Sequence, residues 1–219
     1  MFTFVSYTIY DMKVKKINYR DQIREIILNS ILKGQLALGE KLSLAEYARK
    51  LDTSVTPIRE AFTQLEIAGI LESIPNVGFC VKTISHKEAE EIYTLIGLLE
   101  AHSLQKKYTA KTIDTLLKLV DIIENSHSAE EKLLADNKFH EFLIDKEKHN
   151  AAFSILKNLK TQVFLFELQF MKNRDSNITK NQDHTTILEL IQKGESITKL
   201  IKLHWKNSYQ FVINQNKIK

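Results

Sequence analysis

The chain has 219 residues, enough for one large domain or two ordinary ones, and 43% are hydrophobic, so a buried core is expected. Its formal charge of +4 is mildly basic, which permits a nucleic-acid partner without requiring one. The single cysteine, Cys80, excludes an internal disulfide framework, and no apolar run is long enough to span a bilayer, so a cytoplasmic protein without a membrane segment or secretory signal is expected.

Three helices are predicted in the first third of the chain. The first covers 19–33, where isoleucines recur at helical spacing at positions 23, 26, 27 and 31. The second is short, covers 44–51 and begins at a capping-box pattern of Ser43 and Glu46. The third covers 55–68, tolerates Pro57 in its first turn, ends at Gly69 and has an inner face made of Ile58, Ala61, Phe62 and Leu65.

After the third helix the hydrophobic period changes. Short strands are predicted over 70–74 and 79–83, joined by a turn over 75–78. Three helices followed by a β-hairpin, with a short second helix, is the order of a winged helix-turn-helix. The sequence therefore predicts an N-terminal extension over 1–17 and a winged helix-turn-helix DNA-binding domain over 18–84.

The rest of the chain is predicted to be entirely helical. Only six glycines and two prolines occur in the whole sequence, and both prolines lie in the first third. Six helices forming an antiparallel bundle are expected at 86–108, 111–126, 128–148, 150–173, 179–193 and 195–216. The fold class is therefore mainly α, and residues 85–219 are predicted to form an effector-binding and dimerisation domain.

The opening of the third helix carries the residue types that a DNA recognition helix needs. Ser54 and Thr56 have hydroxyls that suit phosphate oxygens at a helix N-terminus. Arg59 has the forked donors that read guanine in the major groove. All three are predicted to contact an operator in double-stranded DNA. The alternatives are helix capping by the two hydroxyls and a surface ion pair between Arg59 and Glu60.

The first domain resembles the GntR family of bacterial transcription regulators, in segments 34–43, 51–62, 65–71 and 78–81. The resemblance implies that Gly78 at the wing tip lets the backbone approach the minor groove. Two positions depart from the family: Ala45 and Val55 stand where relatives commonly carry arginine. Three basic residues are predicted to compensate as further DNA contacts: Lys41, Arg49 and Lys50.

The second half contains a set of residues that could ligate a metal. Asp136 and His140 are four positions apart, so they share one helical face. His184 and His204 each lie ten residues from Gly194, so they stand at one level if the last two helices form an antiparallel hairpin. One carboxylate and three imidazoles suit a divalent ion such as zinc, nickel or manganese. The alternative is that these are hydrogen-bonded structural histidines.

The helical half resembles the FCD-type C-terminal domain of the FadR branch of the GntR family, and its six helices resemble the VanR-like subgroup. The ordered pattern Asp-x-x-x-His, then two later histidines, carries the resemblance, which implies a metal and a small-molecule effector. Leu99-Glu100 resembles that domain's opening helix. Ile96 departs from the family because relatives often carry an arginine there, which weakens the expectation of a carboxylate effector.

The sequence therefore predicts a bacterial, homodimeric regulator that binds a pseudo-palindromic operator and responds to a small molecule. Two alternatives differ in class. One is a DNA-binding architectural protein with a purely structural helical domain. The other is a metal-dependent enzyme, which is disfavoured because the chain lacks a nucleophile elbow, a phosphate loop and an HExxH motif.

Overall fold

A computed structural model describes residues 19–172 and 183–216 of the chain. The predicted extension over 1–17 and the predicted helix break near 173–177 lie outside these residues. The amino-terminal domain contains three helices and three strands: α1 (Tyr19–Leu32), β1 (Lys41–Leu42), α2 (Leu44–Lys50), α3 (Val55–Ile67), β2 (Leu71–Ile74) and β3 (Gly78–Val81). This is the expected winged helix-turn-helix, with one additional strand.

Local signals account for the helices of this domain. Ser43 caps α2 by accepting a hydrogen bond from the backbone N–H of Glu46 at 3.3 Å. The expected inner face of α3 is fully buried. Gly69 has a φ of +70° and follows Ala68, which is the residue that ends α3. Of the four regularly spaced isoleucines of α1, three are buried and Ile26 is 42% exposed, so it lies at the edge of the buried stripe.

The wing is a three-stranded antiparallel sheet in the order β1-β3-β2. Strand β1 was not predicted, because two residues are too short for any periodic signal. It pairs Lys41 with Cys80 and Leu42 with Phe79. The other two strands form the predicted hairpin with slightly different bounds, since β3 begins at Gly78, which pairs with Ile74, and ends at Val81. The sheet extends the core of α1–α3 through Leu42, Leu71 and Phe79.

The helical domain contains six helices in the described residues: α4 (His86–Ser103), α5 (Ala110–Asn125), α6 (Ala129–Leu143), α7 (Asn150–Lys172), α8 (Asp183–Gln192) and α9 (Thr198–Asn216). Helices α4 and α6 each end five residues earlier than predicted, and α9 begins three residues later. Leu104 and Ile144 leave α4 and α6 in extended conformation and form an isolated antiparallel bridge. Backbone hydrogen bonds from Gln105 to Leu143 and from Asp145 to Ser103, both 2.9 Å, hold the two ends together.

Each domain has its own hydrophobic core. In the helical domain, α4 packs antiparallel against α9, so that Tyr209 donates a hydrogen bond to the carbonyl of His86 at 3.1 Å. Gly97 lies at the middle of this packing, where an added Cβ would be 3.3 Å from Trp205. Over the described ranges, every helix is too short or too polar to cross a membrane. The fold thus places α6, α8 and α9, the helices with the predicted metal ligands, around one centre.

Candidate functional site

The four predicted metal ligands converge in the helical domain. Asp136 and His140 lie one turn apart on α6, His184 lies in the first turn of α8, and His204 lies on α9. One ligand atom from each residue falls within 4.8 Å of those of the other three. The three histidines are buried and Asp136 is partly exposed. The observed geometry therefore agrees with the two spacing arguments made from the sequence, which are the i to i+4 pair on one helix and the equal distances from Gly194.

The convergent atoms are the Nε2 nitrogens and one carboxylate oxygen. Nε2 of His140 lies 3.0 Å from Nε2 of His204, and Nε2 of His184 lies 2.7 Å from Oδ1 of Asp136. That same Oδ1 lies 3.9 Å from Nε2 of His140. Around a tetrahedral zinc ion with bonds of about 2.0–2.1 Å, neighbouring ligand atoms are about 3.3 Å apart. The observed separations fall on both sides of this value.

Two further carboxylates lie beside the outer nitrogens of two of the histidines. One is hydrogen-bonded to His140, and the other approaches His204 without forming a hydrogen bond. Oε1 of Glu100, on α4, lies 2.5 Å from Nδ1 of His140, and both side chains are fully buried. Oδ2 of Asp183, the first residue of α8, lies 3.4 Å from Nδ1 of His204. A carboxylate at Nδ1 favours a proton on that nitrogen and leaves the lone pair on Nε2. Both imidazoles are thereby oriented to offer Nε2 as a ligand.

This orientation has an electrostatic consequence. If Nδ1 carries the proton in His140 and in His204, two lone pairs face each other across 3.0 Å. Such an arrangement is repulsive unless a proton or a cation lies between the nitrogens. In addition, Nδ1 of His184 is buried without a hydrogen-bond partner among the described residues, and its Nε2 faces only the Asp136 carboxylate. The donor set therefore fits a divalent cation.

The protonation states of the residues around the centre suit a metal, because it needs ionised carboxylates and neutral imidazoles. Burial opposes ionisation of Glu100, but His140 and Lys160 outweigh it and lower the pKa of this carboxyl to about 2. Burial lowers the pKa of His140 to about 4, although Glu100 favours the charged form. For Asp136, burial is outweighed mainly by His184, so its pKa lies below the usual value. Near pH 7, His140 is neutral and the carboxylates are ionised, as metal binding requires.

A small cavity adjoins the cluster on the side of Asp136. Its lining includes Leu133, Asp136, Asn137, Lys160, Val163, Phe164, Glu167 and Trp205. Nζ of Lys160 lies 2.9 Å from Oε2 of Glu100 and 5.2 Å from the centre of the Trp205 ring. Nε1 of Trp205 is buried without a hydrogen-bond partner among the described residues. The cavity thus offers donors and acceptors next to the partly exposed ligand, Asp136.

The predicted DNA contacts lie on the amino-terminal domain. Ser54, Thr56 and Arg59 are exposed on the first turns of α3. The Ser54 side chain makes no capping hydrogen bond, although Ser54 is the N-cap residue. Within the described residues, Arg59 forms no ion pair, and Glu60 does not hold it. Ser54 therefore does not cap the helix, and Arg59 is not paired with Glu60. Both side chains are available to contact DNA.

The supporting basic residues are also exposed. Lys41 lies on β1 and Arg49 on α2. Lys50 is less free than predicted, because its Nζ lies 2.7 Å from the Glu46 carboxylate and above the Tyr47 ring. Gly78 is exposed at the start of β3 with a φ of +102°, and an added Cβ would meet nothing within 4 Å. The wing tip therefore offers bare backbone to a partner.

The comparisons with known proteins agree with this architecture. Residues 19–81 match the family described as "Bacterial regulatory proteins, gntR family". This segment spans α1 to β3, which includes the exposed face of α3 and the wing. The amino-terminal domain is therefore similar to the GntR family of bacterial regulatory proteins.

Relatives and solved structures are consistent with this assignment. The chain is 35% identical, over 40% of its length and 39% of the relative's, to a Paenarthrobacter nicotinovorans protein described as "Probable D-xylose utilization operon transcriptional repressor". It is 23% identical to the HTH-type transcriptional regulator YdhC of Bacillus subtilis, over 81% of the chain and 80% of the relative. A transcriptional regulator GntR from Rhodococcus sp. RHA1 has the same fold, with a TM-score of 0.75 at 16% identity, covering 89% of the chain and 97% of that structure.

These relatives and neighbours are transcriptional regulators rather than enzymes, as the sequence predicted. The sequence analysis noted Glu100 in the resemblance to the opening helix but gave it no role at the cluster, and it missed Asp183 and Lys160. Glu100 also stands out as a charge inside the apolar stretch 96–101. Asp183 directly precedes His184, and Lys160 has no comparable signal.

Proposed function

We propose that this chain is a DNA-binding regulator whose helical domain holds a divalent metal ion and binds a small-molecule effector beside it. The helical domain is of the FCD type of the FadR branch, with the six helices of the VanR-like subgroup. The metal would be held by Asp136, His140, His184 and His204. Support for this assignment comes from the convergence of the four residues that the resemblance implied.

One observation carries the metal proposal. The Nε2 nitrogens of His140 and His204 lie 3.0 Å apart, and a carboxylate stands at the Nδ1 side of each ring. A hydrogen-bonded structural pair would need either one ring in the opposite tautomer, with its unprotonated Nδ1 facing a carboxylate, or one ring charged in a buried site. A divalent ion removes this conflict for both rings at once.

The metal would act as a Lewis acid that takes an oxygen of the effector. Three imidazoles and one carboxylate suit zinc, and also nickel or manganese, with coordination positions left open. We extend the proposal to an effector with a carboxylate or similar anionic group, because Lys160 and Trp205 line the adjoining cavity and the indole N–H is buried without a partner among the described residues. Ile96 is an apolar, buried side chain, so this position supplies no charge of the kind that relatives place there.

Operator binding is assigned to the exposed face of α3 and to the wing. Arg59 would read a base in the major groove, with Ser54 and Thr56 on phosphates, Gly78 at the minor groove, and Lys41, Arg49 and Lys50 as supporting contacts. Two copies of the chain would form a homodimer in the cytoplasm and bind a pseudo-palindromic site. An effector can shift operator binding only if it binds the two states of the dimer unequally.

The deciding experiment is a metal analysis of four single variants. After purification and dialysis against dilute zinc, the wild type is expected to retain one ion per chain, whereas His140→Ala and His204→Ala lose it. His102→Ala and His127→Ala are matched controls because these histidines are exposed and lie outside the cluster. Stoichiometric metal in both cluster variants would remove these residues from the site.

The architectural alternative is tested by the same protein. If the wild type binds DNA but neither retains a metal nor changes its thermal stability with any candidate metabolite, the helical domain is structural. A metal-dependent change in operator affinity contradicts that alternative.

A further inference from the structure

A side chain of the helical domain contacts the end of the recognition helix. Nε2 of Gln162, on α7, donates a hydrogen bond to the carbonyl oxygen of Ala68 at 2.9 Å. Ala68 is the residue at which α3 ends. Carbonyls in the last turn of a helix have no partner within the helix, so a donor from outside fixes the position of that end. Gln162 supplies such a donor from the other domain.

The contact is close enough to constrain the residue that follows. A Cβ added to Gly69 would lie 2.6 Å from Nε2 of Gln162 and 3.0 Å from its Cδ. Gly69 also has a φ of +70°, which favours glycine. The Gln162 amide therefore rests directly on the backbone that leaves α3. Because α1 and α7 are also in contact, the Gln162 bond is part of a wider interface between the domains.

The same helix lines the cavity beside the metal cluster. Four residues of α7 at successive helical spacing face it: Lys160, Val163, Phe164 and Glu167. Gln162 is two positions from Lys160, which corresponds to a rotation of about 200° around the helix. One side of α7 thus faces the cavity, and Gln162 on the other side contacts Ala68, the C-cap residue of α3.

A chain of direct contacts runs from the cluster to this helix. His140 contacts Glu100 through Nδ1, and Glu100 pairs with Nζ of Lys160 at 2.9 Å. All three side chains are at least nine-tenths buried. Packed protein interiors transmit displacements. A displacement at His140 or in the cavity can therefore pass through Glu100 and Lys160 and move α7 as a rigid helix.

We propose that Gln162 is a positioning residue that couples occupancy of the metal cluster and its cavity to the placement of the recognition helix. The inference rests on the proposed function and deepens it, because it names the contact through which the site would act on DNA binding. Movement of α7 shifts the Gln162 amide, which holds the carboxyl end of α3. The opposite end of α3 carries Ser54, Thr56 and Arg59.

The test compares zinc-loaded and zinc-free protein, with zinc alone as the ligand and an operator duplex selected from random DNA by the wild type. Wild-type affinity for the duplex is expected to differ between the two forms by about 5- to 150-fold. In Gln162→Met, which keeps the length but removes the donor, this ratio moves towards one while zinc stoichiometry stays at the wild-type value. Ser154→Ala, exposed on the same helix, is the matched control.

Hydrogen exchange gives a second readout that does not depend on the operator. Zinc should change the exchange of the amides at the end of α3 and over 69–71 in the wild type, and not in Gln162→Met. An operator ratio unchanged in Gln162→Met, or a wild-type ratio of one, overturns the coupling role and leaves the metal proposal intact. A wild type that binds no zinc contradicts the proposed function, and the coupling role with it.

Discussion

Glu167 and Tyr93 form a pair at the edge of the cavity. The Tyr93 hydroxyl donates a hydrogen bond to Oε1 of Glu167 at 2.5 Å. Burial, reinforced by the negative charge of Asp136, raises the pKa of Glu167 from 4.5 to about 8. Between these values the folded chain holds a proton that the unfolded chain has released. The free energy of unfolding therefore falls as the pH rises from about 4.5 to about 8.

Replacing this carboxyl by its neutral analogue should remove that dependence. Glu167→Gln mimics the protonated form, so the variant is expected to lose less stability than the wild type between pH 6 and pH 8.5. Urea unfolding in the presence of a chelator, followed by circular dichroism, measures the difference. Glu189→Gln, at an exposed position on α8, should follow the wild-type curve. Parallel curves for the wild type and Glu167→Gln would contradict the assignment.

The sequence identified the cluster residues but not their partners. Asp136 and His140 could be paired because i and i+4 share a helical face, and His184 and His204 could be paired across Gly194. Glu100 could not be linked to His140, since the two residues are 40 positions apart and on helices whose packing no local rule specifies. Lys160 could not be linked to Glu100 for the same reason, since the two residues lie on different helices.

At the scale of the element, α3 separates its two functions along its faces. Its buried face, through residues such as Phe62 and Leu65, joins the amino-terminal core. Its exposed face presents Thr56 and Arg59 within the first two turns. A side chain changed on the exposed face should therefore alter DNA binding without loss of folding.

Arg59→Ala is expected to weaken binding to the selected operator by about 1–3 kcal/mol, roughly 5- to 150-fold, and to relax the preference at one base position. Glu60→Ala is the matched control, since the neighbouring residue is equally exposed and carries no cationic donor. Gel-shift titrations at one fixed salt concentration measure both. Equal affinities of Arg59→Ala and the wild type would exclude this residue from the interface.

Elements with strong local signals were predicted within one or two residues, as for α2 and α3, where Ser43 and Gly69 mark the ends. The predicted boundaries are wrong where contacts between distant parts of the chain determine the end of an element. Helices α4 and α6 end together because Leu104 and Ile144 bridge each other, and no residue near either end signals the stop. Strand β1 exists only through its pairing with β3.

At the scale of the whole molecule, the candidate metal would join helices that the loops leave apart. Its ligands come from α6, α8 and α9, so a bound ion links three segments of the helical core. An ion that binds only the folded state adds stability by mass action, about 2.7 kcal/mol at 100 times its dissociation constant.

Zinc at that excess should raise the melting temperature by about 5 to 10 °C, as expected for a chain of this size. His204→Ala should lose the shift, whereas His102→Ala should keep it. Differential scanning calorimetry of chelator-treated and zinc-loaded samples measures the effect. A shift of the same size in His204→Ala would assign the stabilisation to ions bound elsewhere.

The packing of the two domains against each other could not be predicted from the sequence. Composition and periodicity predict each core separately, but the bond from Gln162 to Ala68 depends on how two finished surfaces dock.

Gly69 is constrained twice, by its own backbone and by the other domain. Its φ of +70° favours glycine, and an added Cβ would lie 2.6 Å from Nε2 of Gln162. Even after Gln162 is shortened, the backbone strain remains. In descendants of this chain we therefore expect position 69 to stay glycine while position 162 is freer to change.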